Sequence, residues 1–301
     1  MEQAYHVPVL LKESIEGMAV KPDGNYIDVT FGGGGHSSRI LGQLGENGHL
    51  YAFDQDEDAV ANVPDDSRLV FIRHNFRYMR NFLRYFGNPA VDGILADLGV
   101  SSHDFDVAER GFSFRFPGKL DMRMNRNAGK TAADIVNDYD EVDLIRIFRQ
   151  YGELTNASRL GRKLVAARSV APIRTIDQFK EALKSSVSAK NESRLWARIF
   201  QALRIETNGE LDVLKDFLEQ SLALLKPGGR LVVITYHSLE DRLVKNFIRA
   251  GNFDGVAEKD FYGNVQTPWV AINRKVLIPS DDEIRVNPRA RSAKLRIAEK
   301  R

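Results

Sequence analysis

The stretch Tyr26–Ser38 reads YIDVTFGGGGHSS. Its β-branched and aromatic residues predict a buried strand that runs directly into four consecutive glycines, where the chain turns tightly. Ser37 is then predicted to cap a helix that continues through Leu44. Because glycine has no Cβ, a ligand can approach the main chain of such a turn closely. A strand, a glycine turn and a helix N-terminus together predict a ligand site.

The residues around the turn separate the classes of nucleotide site. A P-loop requires Lys followed by Ser or Thr after its glycines, and neither follows Gly35. A GxGxxG dinucleotide motif would lack its third glycine here. Asp28 lies in the first strand, facing an amino acid moiety, and Asp54 follows a second strand over His49–Phe53, where a carboxylate would bind a ribose. The pattern favours S-adenosylmethionine over NAD, with a purely structural turn as the alternative.

Composition limits the class of protein. A chain of 301 residues suffices for one large domain or two smaller ones, and 43% hydrophobic with 28% charged residues is ordinary for a globular protein. The absence of cysteine excludes disulfides, thiolate metal sites and cysteine nucleophiles. Met1–Val9 lacks a targeting pattern, and no apolar run approaches ~18 residues. We expect a cytoplasmic protein with no membrane partner and no metal site.

Charge is distributed unevenly. The segments Phe105–Ala202 and Arg285–Arg301 each carry +6, and because the chain totals +2, the remainder carries −10. Two basic appendages on an acidic body suit a polyanionic partner. A solvated helix face and a frayed basic tail are the alternative explanation.

Two more strands are predicted over Leu69–Ile72 and Val91–Leu98. Phe76 follows the first of them, and Asp97 lies near the end of the second. Ligands of open α/β sheets sit at the carboxyl ends of the strands. We therefore expect Phe76 to lie against an adenine ring and Asp97 to accept hydrogen bonds from a substrate amino group. A core phenylalanine and a turn-capping aspartate are the alternatives.

From Phe105 the alternation of strands stops. A loop-like segment, Ala108–Asn125, alternates phenylalanines with arginines. We expect its rings to stack on bases and its guanidinium groups to hold phosphates, the arginines concerned being Arg110, Arg115 and Arg123. Five helical periods follow, with a capping box predicted at Thr175 and Gln178. The pattern predicts an all-helical domain that begins at about Phe105 and is inserted into an α/β domain.

The α/β pattern then resumes. A helix ends at the KPGG sequence of Lys226–Gly229, and a fifth strand is predicted over Arg230–Tyr236, with His237 next. Val270–Ile278 and the segment before it are predicted to form the last, antiparallel strands. This order predicts the Rossmann-like sheet of a class I methyltransferase.

Six motifs, in order from about His6 to Arg296, resemble the RsmH (MraW) family. Proteins of that family methylate the exocyclic N4 of one cytidine in small-subunit ribosomal RNA. The motifs are TFGGGGHS, DLGVSS, AERGFSF with LDMRM, FQALRIETNGEL, YHSLEDR and NPRARSAKLR.

The resemblance implies S-adenosylmethionine as cofactor and small-subunit ribosomal RNA, within an assembled or late-assembling subunit, as partner. A homodimer is left open. The inserted helical domain of the family corresponds to residues 105–202, which leaves residues 1–104 and 203–301 for the α/β domain. Asp104 stands where relatives often have Gln, and this change turns a donor-acceptor amide into a pure acceptor. The implied cofactor contacts are Gly34, Gly35, His36, Asp54, Phe76, Asp97 and Asp104.

The chemistry requires a nucleophile placed in line with an already activated methyl group. We expect Asp97 to hold the amino group or the methionine end of the cofactor. Tyr236 and His237 are expected to shape the base pocket, and Arg289 and Arg291 to contact RNA. His237 is a candidate proton acceptor, although a structural histidine bonded to backbone explains it equally well.

Two other functions stay open at this point. One is a small-molecule or DNA methyltransferase, although the proline turn of DNA amino-methyltransferases is missing after Asp97. The other is a non-catalytic RNA-binding assembly factor that retains the fold. For an RNA substrate, the target base must leave its stack, and binding must weaken steeply with salt.

Overall fold

A computed structural model describes residues 8–88, 90–100, 107–127, 129–187 and 191–301. Contacts divide the chain into two compact units, one that reaches Gly99 and resumes with Leu211–Arg301, and one over Val100–Glu210. The predicted domain limits at 105 and 202 stay a prediction. Within the described ranges, no helix combines the length and the apolarity needed to cross a bilayer.

The first unit contains a sheet of seven strands among its described residues, in the order β3-β2-β1-β4-β5-β7-β6. Neighbouring strands from β3 to β5 are parallel, whereas β7 runs antiparallel between β5 and β6. The predicted class I, Rossmann-like sheet is confirmed. The strands are β1 (Asn25–Asp28), β2 (His49–Asp54), β3 (Leu69–Arg73), β4 (Val91–Asp97), β5 (Leu225–Thr235), β6 (Trp269–Ala271) and β7 (Lys294–Lys300).

Helices cover both faces of this sheet, as parallel strands require. Alternate residues of a strand point to opposite faces, so Leu231 and Val233 of β5 join one apolar core while Val232 and Ile234 join another. The helices of this unit are α1 (Leu11–Met18), α2 (Gly35–Leu41), α3 (Met79–Tyr85), α9 (Glu210–Leu224), α10 (Ser238–Ala250) and α11 (Asp281–Val286). Helix α9 starts at the last residue of the second unit.

The second unit is helical and has its own core. The capping box predicted at Thr175 and Gln178 is confirmed at the start of the helix Ile176–Leu183. The loop before these helices contributes Phe112 to the core, so this ring is buried and unavailable for stacking on a base. The helices are α4 (Ala132–Asp138), α5 (Glu141–Gln150), α6 (Ala157–Arg168), α7 (Ile176–Leu183) and α8 (Glu192–Asn208).

The basic C-terminal segment is not an appendage, because its last part, Lys294–Lys300, is strand β7 of the sheet. In β7, Arg296 Nε donates to Asp241 Oδ1 at 2.7 Å and Lys294 Nζ donates to Asp241 Oδ2 at 3.2 Å. Lys300 Nζ donates to two backbone carbonyl oxygens at 2.7 Å. The antiparallel strand predicted around Val270–Ile278 is confirmed only at β6 (Trp269–Ala271). The last strand, β7, was not predicted, because its hydrophobic alternation is hidden among cations that are neutralised inside the protein.

Candidate functional site

The glycine turn after β1 follows a path that favours glycine. Gly32 and Gly34 have φ values of 50° and 75°, which L side chains rarely adopt. Helix α2 starts at Gly35 with Gly34 as its N-cap, so the prediction that Ser37 caps this helix is wrong. A Cβ on Gly35 would lie 2.1 Å from Pro8 Cγ. Gly35 is therefore required for packing against the N-terminal segment.

Asp28 is hydrogen-bonded to residues on both sides of the glycine turn. Its side chain is fully buried, and it accepts hydrogen bonds from Ser37 Oγ at 2.7 Å and from the Thr30 backbone N–H at 3.0 Å. Burial raises the pKa of Asp28, and these hydrogen bonds oppose the rise. The carboxylate is thus engaged in holding α2 to the end of β1.

Asp54 ends the neighbouring strand and reaches the same turn. Its Oδ2 accepts from the Gly32 backbone N–H at 2.8 Å, and its Oδ1 accepts from the Asp56 backbone N–H at 2.9 Å. Burial raises the pKa of Asp54 to about 6, and the nearby carboxylates of Asp56 and Asp28 add to the rise. Asp54 is only partly buried, so it is accessible from the carboxyl ends of the strands.

Asp97 ends β4 on the other side of β1. Its Oδ1 accepts a hydrogen bond from the Tyr236 hydroxyl at 2.7 Å, and its backbone N–H donates to Thr30 Oγ1 at 2.7 Å. Burial raises the pKa of Asp97 to about 6, and His36 and the Tyr236 bond oppose the rise. The register places Asp28 beside Ala52 and Leu95. Asp54 and Asp97 therefore flank the turn at one level.

His36 lies in the first turn of α2, beside these acids. Its Nδ1 is 3.9 Å from Asp97 Oδ2, and its side chain is 6% exposed. Burial lowers the pKa of His36, which favours the neutral ring. Its Nε2 is buried without a hydrogen-bond partner among the described residues. A buried polar nitrogen without a partner is costly and marks a position where a ligand group would fit.

Phe76 follows β3 and begins a short 3₁₀ turn, Phe76–Tyr78. Its ring packs edge-to-face on Phe217 of α9, with the ring centroids 5.6 Å apart. The side chain is partly buried against the core. One part of the ring thus has a structural role, and the remainder borders the carboxyl ends of the strands.

Tyr236 and His237 follow β5 at this same edge. Burial, followed by the Asp97 charge, raises the pKa of Tyr236 well above its usual value, so the phenol stays protonated. His237 is the N-cap of α10, and its Nδ1 accepts from the Glu240 backbone N–H at 3.4 Å. Its Nε2 lies 3.1 Å from Glu240 Oε1. The Nδ1 bond to the backbone is the structural role that the sequence left open, whereas Nε2 is buried and has no hydrogen-bond partner among the described residues.

A cleft of about 300 Å³ adjoins Tyr236. It brings Tyr236 and His237 together with Arg291, one of the two predicted RNA contacts in the C-terminal segment. Its apolar wall comes from Ile278, Pro279, Ile284 and Ala293. Sequence reasoning missed this wall, because its members are far from Tyr236 along the chain and carry no catalytic signature.

A family model described as the MraW methylase family matches residues 3–301. The chain belongs to the MraW methylase family. A relative from Phocaeicola vulgatus, named "Ribosomal RNA small subunit methyltransferase H", is 60% identical over 300 residues that cover 100% of this chain and 99% of its own. One of the same name from Bacteroides thetaiotaomicron is 59% identical, with coverages of 100% and 99%. The predicted family, and with it the methyltransferase class, is confirmed.

Solved structures are also similar to this MraW-family chain. An rRNA methylase from Streptococcus thermophilus has a TM-score of 0.45 and 12% sequence identity, and the comparison covers 98% of each chain.

The arginines predicted to contact RNA have different environments in this MraW-family chain. Arg110 is 3% exposed, and its Nη2 donates to the Met124 carbonyl oxygen at 3.2 Å. Arg123 pairs with Asp121, with Nε 2.8 Å from Oδ1. Exposed side chains are found at Arg115, Arg289 and Arg291. Asp104, the remaining predicted cofactor contact, lies outside the described residues.

The group of carboxylates at the carboxyl ends of the strands fits S-adenosylmethionine, which carries positive charge on its sulfur and its amino group. Asp28, Asp54 and Asp97 converge there, and within the described part of the chain no Lys or Arg lies within ion-pair distance of any of them. Uncompensated buried carboxylates are costly, and their raised pKa values report this cost. A cationic ligand would relieve it, and Asp54 offers the acceptor that a ribose diol requires.

Proposed function

We propose that this protein transfers a methyl group from S-adenosylmethionine to N4 of a cytidine in small-subunit ribosomal RNA. The observation that carries the proposal is the group of uncompensated acids, Asp28, Asp54 and Asp97, around a glycine turn in a chain of the MraW family. The ribosomal target follows from the names of relatives about 60% identical over the whole chain.

The cofactor would lie across the glycine turn. When bound, S-adenosylmethionine supplies a methyl group on a positively charged sulfur. The backbone at Gly34 and Gly35 and the ring of His36 would border its amino acid moiety, Asp54 would hold the ribose hydroxyls and Phe76 would lie against the adenine. Asp104 stays a predicted contact. This assignment leaves Asp97 at the methionine end, toward the substrate.

Asp97 is the residue that would act on the substrate. Tyr236 occupies its Oδ1, so its Oδ2 remains to accept an N–H of the cytosine amino group. With a pKa of about 6, Asp97 is mostly charged near neutral pH and basic enough to take the proton that the amino nitrogen loses. The hydrogen bond from Tyr236 fixes the carboxylate for this task, because the phenol stays protonated.

The cleft beside Tyr236 would take the target base. Its volume of about 300 Å³ is at the lower end of ligand pockets and exceeds what a single pyrimidine needs. The base must leave its stack at a cost of a few kcal/mol. Phosphate contacts from Arg289 and Arg291 in the first unit, and from Arg115 in the helical unit, would offset that cost. Arg110 and Arg123 are engaged inside the helical unit and contribute less.

The biological setting is part of the proposal. The partner would be ribosomal RNA within an assembled or late-assembling small subunit, in the cytoplasm, and the helical unit would contribute to its recognition. The homodimer that the sequence left open stays a prediction.

Methyl transfer from deuterated S-adenosylmethionine to purified small subunits that lack the modification tests this function. Digestion to nucleosides and mass spectrometry should find one labelled N4-methylcytidine per subunit, and Asp97→Ala should abolish the label. Calorimetric binding of the cofactor without any label in RNA would instead indicate a non-catalytic assembly factor. A label on another nucleoside would contradict the target assignment.

A further inference from the structure

The edge of the sheet beyond the cofactor site is strongly basic. Residues 68–88, which include β3 and α3, contain five arginines and no aspartate or glutamate. These residues lie in the part of the chain that carries a net charge of −10, so five arginines without an acidic residue are a local exception to it. β3 is the edge strand of the sheet, and no strand within the described part of the chain pairs with its outer side.

Helical spacing arranges this segment into two stripes. Arg77, Arg80 and Arg84 are three and four residues apart, so they share one face of the turn and helix. Tyr78 and Tyr85 fall on the adjacent stripe and are 44% and 83% exposed. The opposite face, with Met79 and Leu83, is buried in the core. The helix thus presents guanidinium groups and aromatic rings side by side.

Ion pairs neutralise only part of this charge. Arg68 pairs with Asp66, and Arg77 Nη2 lies 2.6 Å from Asp216 Oδ2 on α9. Arg73, Arg80 and Arg84 are exposed, and no carboxylate among the described residues lies within ion-pair distance of them. We call Arg73, Arg80, Arg84, Tyr78 and Tyr85 the arginine–tyrosine face.

The face begins at the cofactor site. Arg73 is the last residue of β3 and pairs in register with Asp54 of β2. Phe76, the proposed adenine contact, separates Arg73 from Tyr78 in the chain. From there α3 extends the face away from the carboxyl ends of the strands. A polymer whose target nucleotide enters the site would therefore have further nucleotides within reach of this face.

We propose that the arginine–tyrosine face binds the RNA substrate outside the target nucleotide, with phosphates on Arg73, Arg80 and Arg84 and with bases or riboses against Tyr78 and Tyr85. Three unpaired cations supply the electrostatic attraction, and exposed rings beside them supply stacking surfaces. A purely electrostatic contact would need no exposed tyrosines, so the combination favours single-stranded or irregular RNA. The proposal rests on the ribosomal RNA substrate proposed above.

The triple variant Arg73→Gln/Arg80→Gln/Arg84→Gln tests the face. Binding of purified small subunits should weaken about tenfold near physiological salt, and the slope of log K against log salt should fall by about 2 to 3. Calorimetry with S-adenosylmethionine checks that the site still folds. The matched control, Lys12→Gln/Lys245→Gln/Arg249→Gln, makes the same change in net charge at exposed positions elsewhere on this unit. It should lower the affinity for small subunits and the salt slope much less.

A second variant, Tyr85→Ala, addresses the rings. It should weaken binding at least about fivefold with little change in the salt slope, because stacking involves no release of counterions. Equal affinities for the triple variant and its control would overturn the proposal while leaving methyl transfer intact. Loss of binding to anionic phosphatidylglycerol vesicles with unchanged RNA affinity would also overturn it. If the wild-type protein neither bound nor methylated subunits, the proposed function itself would fail.

Discussion

The Tyr236 hydroxyl donates to Asp97 Oδ1 at 2.7 Å and thereby joins the end of β5 to the end of β4. The contact is tight on both sides, since a Cβ on Gly99 would lie 3.2 Å from the Tyr236 ring. Residues 139 positions apart thus form one unit at the edge of the sheet. Its consequence is a carboxylate held in one orientation beside the glycine turn, at a cost in stability that can be measured.

That cost gives the first prediction, for Asp97→Asn. Asp97 has a pKa of about 6 in the folded protein against 3.8 in the unfolded chain, so the folded state holds the proton more tightly. Wild-type stability therefore falls as pH rises from about 4 to about 6. An amide keeps an acceptor for Tyr236 and carries no charge. We expect the variant to be more stable at pH 7 by about 1–3 kcal/mol, since the side chain is 22% exposed.

Denaturant unfolding over a pH series measures this difference. The gain should shrink below pH 6 and vanish below about pH 3, where Asp97 is protonated in both the folded and the unfolded state. The same variant should lose methyl transfer. A stability difference that does not change with pH would contradict the raised pKa of Asp97.

The second prediction separates the two roles of His237. As N-cap of α10, it accepts from the Glu240 backbone N–H. His237→Ala should lower stability by about 1 kcal/mol, and His237→Asn should restore it, because Asn is a good N-cap. Since the capping bond of Nδ1 accounts for the position of this ring, we expect turnover in His237→Asn to stay close to that of the wild type. A stable but inactive Asn variant would establish His237 as a proton acceptor.

The third prediction concerns the C-terminus. Deleting Lys294–Arg301 removes β7, which pairs with both β5 and β6. We expect the truncated protein to lose cooperative unfolding, as measured by thermal melts. As a control, Arg291→Gln removes an exposed charge outside the strand and should leave the melting temperature nearly unchanged. If the truncated protein melted cooperatively at the wild-type temperature, this segment would be a dispensable tail and not a strand of the sheet.

Local patterns were sufficient to predict the parallel part of the sheet. The apolar run before the glycines and the apolar residues of β2 and β4 were enough to predict these strands. Because the carboxyl ends of parallel strands meet at one edge, the prediction also placed Asp54 and Asp97 there. The capping box at Thr175 was predictable for the same reason, because its hydrogen bonds span only three residues.

Features that depend on distant contacts were not predictable. β7 could not be recognised as a strand from its sequence, because its cations resemble those of an exposed tail. Asp241, which neutralises two of them, lies more than 50 residues away. Ser37 suggested a helix cap, yet the left-handed conformation of Gly34 starts α2 earlier and leaves Ser37 to bind Asp28. The burial of Arg110 likewise follows from a tertiary contact with the backbone at Met124.

The final prediction concerns Asp54 and the ribose. Asp54→Ala alone would be ambiguous, because Asp54 also holds the backbone N–H of Gly32 and thereby orders the turn. The measurement is therefore calorimetric binding of S-adenosylmethionine and of its 2′,3′-dideoxy analogue to the wild-type and variant proteins. Effects on the turn weaken both ligands equally and cancel in the ratio of their Kd values.

The wild-type protein should bind the dideoxy analogue more weakly by about 1.5–3 kcal/mol, the usual range for hydrogen bonds to a charged group, and Asp54→Ala should bind both ligands alike. A wild-type protein that did not distinguish the two ligands, or a variant that still did, would contradict the placement of the cofactor across the glycine turn with its sugar on Asp54.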